Sequence, residues 1–327
     1  MSEKEKTKAV TKVEEKAKTE NEIEVKKEEK SPSQWIMVWY RLKKNQFAMV
    51  SLGYFMMNVL IAIFYPLFIP YNPTSTPALK DRLSGSTADS PPNLRYPFGT
   101  YPPGKDTFSG VMAGAETSLV VGFVATIFAL SIGVSLGLVA GFYGGITEEI
   151  AMRITDIFLS MPFLIIAITM VNVMLNSKNP KIQQMPPIWI IIIALGVFGW
   201  AGTARLVTAT VKQTADLDYV KAARVLGAGN LRLMVIHILP NVLAPIIVVA
   251  TLSIGGNILA EAGITFLGIG DPNRTVSWGQ IVNTAQKELT KNPYIMFISG
   301  FAIFFLVLAI NILGDALRDA LDPRLKE

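Results

Sequence analysis

The sequence predicts an all-α membrane protein with six membrane spans, and three observations predict it. The 327-residue chain is 51% hydrophobic with positive mean hydropathy. Its apolar residues gather into six segments, each near the ~20 residues that cross about 30 Å of hydrocarbon. Between the fourth and fifth segments, over residues 208–240, lies a charged amphipathic island.

Residues 1–33 form a Lys/Glu-rich tail without aromatics. Such a segment cannot bury enough apolar surface to offset its ordering entropy, so disorder is expected. With no apolar run near Met1, a cleavable signal peptide is not expected. Residues 34–46 read as an interfacial segment. Trp35, Ile36, Val38, Trp39 and Tyr40 suit headgroup depth, and Arg41, Lys43 and Lys44 suit anionic lipid.

The spans are expected at Phe47–Ile69, Leu119–Gly141, Ile150–Leu175, Ile188–Val207, Leu243–Ala262 and Tyr294–Leu313, within residues 47–327. The first acts as an uncleaved anchor. Gly122, Gly133, Gly137 and Gly141, with Ser131 and Ser135, give the second a small-residue face for close helix packing. Pro162 is expected inside the third, its freed carbonyl satisfied by neighbours. Basic residues set orientation. Arg41, Lys43 and Lys44, then Lys212, Lys221, Arg224 and Arg232, then Arg318, Arg324 and Lys326 fall on one side of a six-span chain. The positive-inside rule makes that side cytoplasmic, with both termini. The loop 71–110, with Lys80, Arg82, Arg95 and Lys105, is then external; long loops weigh less in the rule.

Within the island, Asp218 to Leu226 reads as a short helix. Asp216 or Asp218 can cap its start, and Gly227 can end it in a left-handed turn. At about 100° per residue, Tyr219, Ala222, Ala223 and Leu226 share one face, and Asp218, Lys221 and Arg224 the other. So short a helix needs a docking partner to persist.

Lys221-Ala222-Ala223, Gly227 and Leu239-Pro240 resemble the EAA loop of importer-type ABC permeases. Lys221 stands where Glu is usual and His237 where Ile is usual. Further motifs are similar to the C-type permeases of dipeptide and oligopeptide importers, from Trp39 to Lys326. These are Pro97-Phe98-Gly99-Thr100, Ala140-Gly141-Phe142-Tyr143-Gly144-Gly145, Arg153-Ile154-Thr155-Asp156, Ala204-Arg205-Leu206-Val207, Ser277-Trp278-Gly279 and the ending from Leu313 to Arg324. Tyr101-Pro102-Pro103-Gly104-Lys105-Asp106 departs from the acidic pair and Gly-Arg-Asp common in that family. The resemblance implies a type I ABC importer permease bundle in the cytoplasmic membrane of a bacterium or archaeon. It implies a coupling site of Asp218, Tyr219, Lys221, Ala222, Ala223, Arg224, Leu226, Gly227, Leu239 and Pro240, docked on a separate ATPase. Implied partners are a second related permease in a heterodimer, two ABC ATPase subunits, an extracytoplasmic solute-binding protein and membrane lipid. The implied substrate is a short peptide, with oligosaccharides or nickel chelates as alternatives.

Other function classes find little footing. With no cysteine and a single histidine, His237, the chain offers no disulfide framework or Cys-based metal site, and no cofactor is expected. A net charge of +5 concentrated in particular loops is a topology signal, so no nucleic-acid partner is expected. Gly99-x-x-x-x-Gly104-Lys105 approaches a P-loop, but Asp106 replaces the Ser or Thr that would meet Mg²⁺. Gly268-Ile269-Gly270-Asp271 matches the GxGD signature of intramembrane aspartyl proteases. That chemistry needs a second aspartate within a neighbouring span; no span has a mid-membrane Asp, with Asp156 and Asp315 both near a cytoplasmic end, so no catalytic residue is expected. A passive channel would need no docking helix. Arg153 and Asp156, three apart, can pair. Glu261, near the outer end of the fifth span, either lines the translocation path with Asn257 or caps the following turn.

Overall fold

The computed structural model describes residues 34–77, 90–270 and 274–321. The predicted tail 1–33, Lys80 and Arg82 of the external loop, Asp271, and Pro323, Arg324 and Lys326 lie outside these residues. Helix α1, Gln34–Lys44, meets α2, Gln46–Phe68, at Asn45. The Asn45 side chain accepts the Ala48 N–H at 3.2 Å, capping α2 at the break between the two helices. Helix α2 is apolar on every side and mostly exposed within the chain, as a lipid-facing span should be.

The stretch before the second span holds a small exception to the all-α expectation. Strand β1, Thr100–Tyr101, pairs antiparallel with β2, Lys105–Asp106, in the register Thr100↔Asp106 and Tyr101↔Lys105. The second span, α3, runs Thr107–Tyr143 and so starts well before the expected Leu119. Asp106 is the reason: one carboxylate oxygen accepts the Ser109 N–H at 2.9 Å and starts the helix at the hairpin. The P-loop-like stretch is therefore a closed hairpin in which Lys105 and Asp106 are buried.

The third span is corrected. It is no continuous Ile150–Leu175 helix but two: α4, Gly145–Ser160, and α5, Phe163–Leu175, bent by 82°. Proline disfavours helical geometry in the residue before it, and Met161 is extended at φ −79°, ψ 138°. The fourth is also bent, by 40° at Trp200, between α7, Pro187–Gly199, and α8, Ala201–Ala215. A short turn, α6, Pro180–Gln183, precedes α7. After α9, Asp218–Val225, the fifth span α10 runs Asn230–Phe266 and includes a π-helical turn, Leu233–Ile238. It is longer at both ends than the expected Leu243–Ala262. Helices α11, Trp278–Gln286, and α12, Pro293–Leu321, follow. Among the described residues, four helices cross a membrane by length and composition, and six spans result when each bent pair counts as one.

Helix α3 is the hub, packing on α2, α7, α8 and α10. The small-residue face does what spacing predicted. A Cβ on Gly137 would lie 2.8 Å from the Ala204 carbonyl oxygen, and one on Gly133 or Gly141 would meet backbone of α8 as closely. Side chains at these turns would push α8 away, so bare glycine sets the interhelix distance. Ser131 and Ser135, between the glycines, are exposed and bond back to their own helix.

Candidate functional site

The island folds as expected at its end and differently at its start. Leu217, not an aspartate, occupies the N-cap of α9, and no side chain caps it. Asp218 lies in the first turn, where its charge suits the helix dipole. Asp216 faces Lys221 at 3.8 Å across an exposed surface. At the other end Gly227 adopts φ +86°. The Ala228 N–H donates to the Ala223 carbonyl at 3.1 Å and the Gly227 N–H to that of Arg224 at 3.0 Å. This paired closure is the Schellman geometry, and a Cβ at Gly227 would strain it.

Which face α9 turns inward is settled by Val220, missed in the sequence reading. It is 0% exposed and packs with Val207, Val211, Leu233, Ile238 and Val242, and Ala223 is half-buried against the same cluster. Ala223 therefore belongs to the face on the chain's own core. Ala222, Val225 and Leu226 are exposed, as are Asp218, Lys221 and Arg224, and Tyr219 is exposed along part of its ring. Leu226 is 87% exposed. The exposed surface thus mixes apolar and charged groups in place of the single apolar face predicted. Val220 was legible as the apolar residue between Tyr219 and Lys221, but a short helix gives too few turns to fix which apolar side wins.

Two contacts tie α9 to the helices it precedes and follows. The Tyr219 hydroxyl donates to the His237 carbonyl at 3.2 Å. The Arg224 guanidinium stands 5.5 Å from the Phe142 ring centre at the end of α3. The His237 carbonyl is inside the π-helical turn and also accepts from the Asn241 side chain at 2.8 Å. Such a turn loosens the regular backbone ladder and is frequent at functional positions. Burial holds the Tyr219 phenol above its ordinary value of 10.0. Leu239 and Pro240 follow at the start of the regular α-helix, where proline's missing N–H costs little.

Helices α4 and α8 are joined nearby by ion pairs. Lys212 meets Glu148 at 2.9 Å, and Arg205 is paired with Asp156. The expected Arg153–Asp156 pair is thereby replaced, for Arg153 lies 3.7 Å from Glu149 instead. Asp156 is drawn across to α8, which the bend at Met161 and Pro162 brings beside α4.

Both helix breaks converge on one pocket of about 240 Å³. Phe163 follows one break and Gly199 precedes the other, while Thr126, Thr203, Ser253 and Asn257 supply polar groups. The Asn257 side chain donates to the Thr126 hydroxyl at 2.9 Å. Glu261, one turn farther along α10, does not line this pocket. It is 0% exposed, accepting hydrogen bonds from Ser118 at 3.4 Å and Thr265 at 3.3 Å, with Ser277 also bonded to it. Its carboxylate is enclosed by these side chains. It joins α3, α10 and the start of α11, where Ser277 caps the helix and the Trp278 indole donates to the Val111 carbonyl at 2.7 Å.

The family profile described as binding-protein-dependent transport system inner membrane component matches residues 133–327. A second, the N-terminal TM domain of oligopeptide transport permease C, matches residues 33–92. The oligopeptide transport system permease protein OppC of Bacillus subtilis is 37% identical over 91% of this chain and 92% of its own length. The dipeptide transport system permease protein DppC of Alkalihalophilus pseudofirmus is 38% identical, covering 90% and 91%. The solved inward-facing MetNI methionine ABC transporter includes a chain that is 22% identical, with a TM-score of 0.53 over 65% of this chain and 96% of that one. That likeness is one of fold.

Proposed function

The chain belongs to the family of binding-protein-dependent transport system inner membrane components, and from that premise we propose that it forms half of a peptide translocation pathway worked through α9. It is a multi-pass inner-membrane permease subunit of the peptide-transport type, a reading its dipeptide and oligopeptide relatives favour over oligosaccharides or nickel chelates. A second, related permease supplies the other half. Two ABC ATPase subunits engage the α9 side, and an external solute-binding protein delivers substrate.

One observation carries the coupling: α9 presents exposed side chains outward while Val220 and Tyr219 fasten it to the base of α10. The same α10 reaches the polar pocket at Asn257. From His237 to Asn257, at about 1.5 Å per residue, the helix spans roughly 30 Å. ATPase closure displaces α9, α10 follows through the packed cluster, and access to the pocket switches from one side to the other. The two bent spans beside the pocket are where such a change is absorbed. On this topology, α9 and both termini are cytoplasmic, the external loop faces the binding protein, and residues 1–33 form a cytoplasmic tail.

The test is reconstitution of the chain with its second permease, ATPases and solute-binding protein in liposomes. ATP-dependent accumulation of di- or oligopeptide is expected. Peptide flux that proceeds without ATP and without the ATPases would make the chain a channel and overturn the reading.

A further inference from the structure

A groove of about 270 Å³ lies between α1, α2, α3, α10 and α12, lined by other residues than the polar pocket. Its floor is Phe123, Ile254 and Ile310, its flanks Met49, Leu52, Phe55 and Leu317, and its mouth Trp39 and Leu42. Thr251 and the Trp39 indole supply the polar side-chain groups among the residues lining it. From Ala48 to Phe55 the α2 wall runs for about 10 Å, the length of a part of one acyl chain.

The mouth differs in chemistry from the floor. Lys43 stands 5.2 Å from the Trp39 ring centre and Lys44 stands 4.8 Å from that of Tyr40. Both lysines are exposed, and neither forms an ion pair among the described residues. Arg41 instead donates to the Ala320 carbonyl at 3.1 Å, fixing α1 on the end of α12. Val38 seals that contact against Val248 and Leu321. Asp315 and Asp319 on α12 are exposed, and they do not line the groove. The result is an apolar slot beside a helix that carries two exposed cations. Aromatic rings of the same helix steady those cations.

We propose that this groove binds one anionic phospholipid of the leaflet at the α1 end. An acyl chain lies along Met49, Leu52 and Ile254, and the phosphate meets Lys43 and Lys44. A neutral lipid fills the same slot but gains nothing from the two cations.

The experiment uses the full chain, alone and co-purified with its partner subunits, equilibrated in nanodiscs of phosphatidylcholine and phosphatidylglycerol. Lipid retained after detergent release is read by native mass spectrometry. Wild type is expected to retain phosphatidylglycerol over phosphatidylcholine by about tenfold. Lys43→Gln with Lys44→Gln, both on exposed side chains, abolishes that preference and leaves total lipid unchanged. Leu52→Trp fills the slot and reduces retention of both lipids. Equal retention by wild type, or a preference that survives the double substitution, overturns the proposal. So does a lipid held by the chain alone but missing from the complex, since the second permease then covers the groove.

Discussion

The Tyr219 hydroxyl donates to the carbonyl of His237, eighteen residues on, and so pins the short helix α9 to the π-helical turn that opens α10. One hydrogen bond is worth about 1 kcal/mol net, so Tyr219→Phe should leave folding and membrane insertion intact. It should weaken the mechanical link, raising ATP hydrolysed per peptide moved in the reconstituted complex. The phenol's raised pKa sets a pH signature. Stability from the neutral hydroxyl is complete below about pH 10 and is lost as pH rises through the higher folded value. Transport by Tyr219→Phe should lack that alkaline component. A ratio and pH profile equal to wild type would remove Tyr219 from the coupling link.

The two faces of α9 predict opposite kinds of damage. Val220 is wholly buried against the chain's own core, so Val220→Asp should destabilise the permease itself by about 3 kcal/mol or more, through an unpaired buried charge. Leu226→Glu, on an exposed side chain, should leave permease stability within about 0.5 kcal/mol yet lower co-purification of the ATPase. Ala223→Glu should resemble Val220→Asp, because Ala223 packs inward. Full ATPase recovery with Leu226→Glu would move the docking surface elsewhere.

The α3–α8 contact allows a paired test. Gly137→Ala places a methyl 2.7 Å from the Val207 Cβ and 2.8 Å from the Ala204 oxygen, and overpacking of this kind costs about 1–3 kcal/mol. Gly202→Ala meets nothing within 4 Å on an exposed helix position, so it should be neutral or slightly stabilising. Thermal unfolding in detergent separates them: a lower midpoint for Gly137→Ala alone is expected.

Much of this was legible because membrane spans and close helix packing are written in local composition. The six apolar segments, the Gly133–Gly137–Gly141 stripe and the left-handed Gly227 each follow from a few adjacent residues. The misses required knowledge of neighbours. Pro162 was expected to be absorbed within a straight helix, yet no residue in the sequence says whether a partner will satisfy the freed carbonyl, and the helix breaks instead. Asp156 has Arg153 within reach along its own helix but pairs with Arg205, because the break carries α4 alongside α8. Val220 escaped notice for a related reason. The apolar groups of α9 point two ways, and only the cluster formed by α8 and α10 decides which is inside.

Asn257 and Glu261, one turn apart on α10, were grouped by the sequence and are separated by the fold, which yields the last prediction. Asn257 faces the polar pocket and bonds Thr126; Glu261 is sealed among Ser118, Thr265 and Ser277. Asn257→Ala removes one hydrogen-bonding group from a cavity that already admits water-sized molecules, so stability should change by no more than about 1 kcal/mol. Peptide uptake should change in apparent affinity or maximal rate. Glu261→Ala leaves the buried Ser118 hydroxyl without its carboxylate partner, takes one acceptor from Thr265 and Ser277, and opens a buried void, costing about 2–4 kcal/mol. The loss should appear first as reduced folded yield and loosened α11, read by proteolysis near Ser277. Glu261→Gln keeps the shape and an acceptor, so it should recover most of the yield. If Glu261→Ala folded normally while uptake failed, the carboxylate would act on substrate after all, and the division between pathway and scaffold along α10 would be wrong.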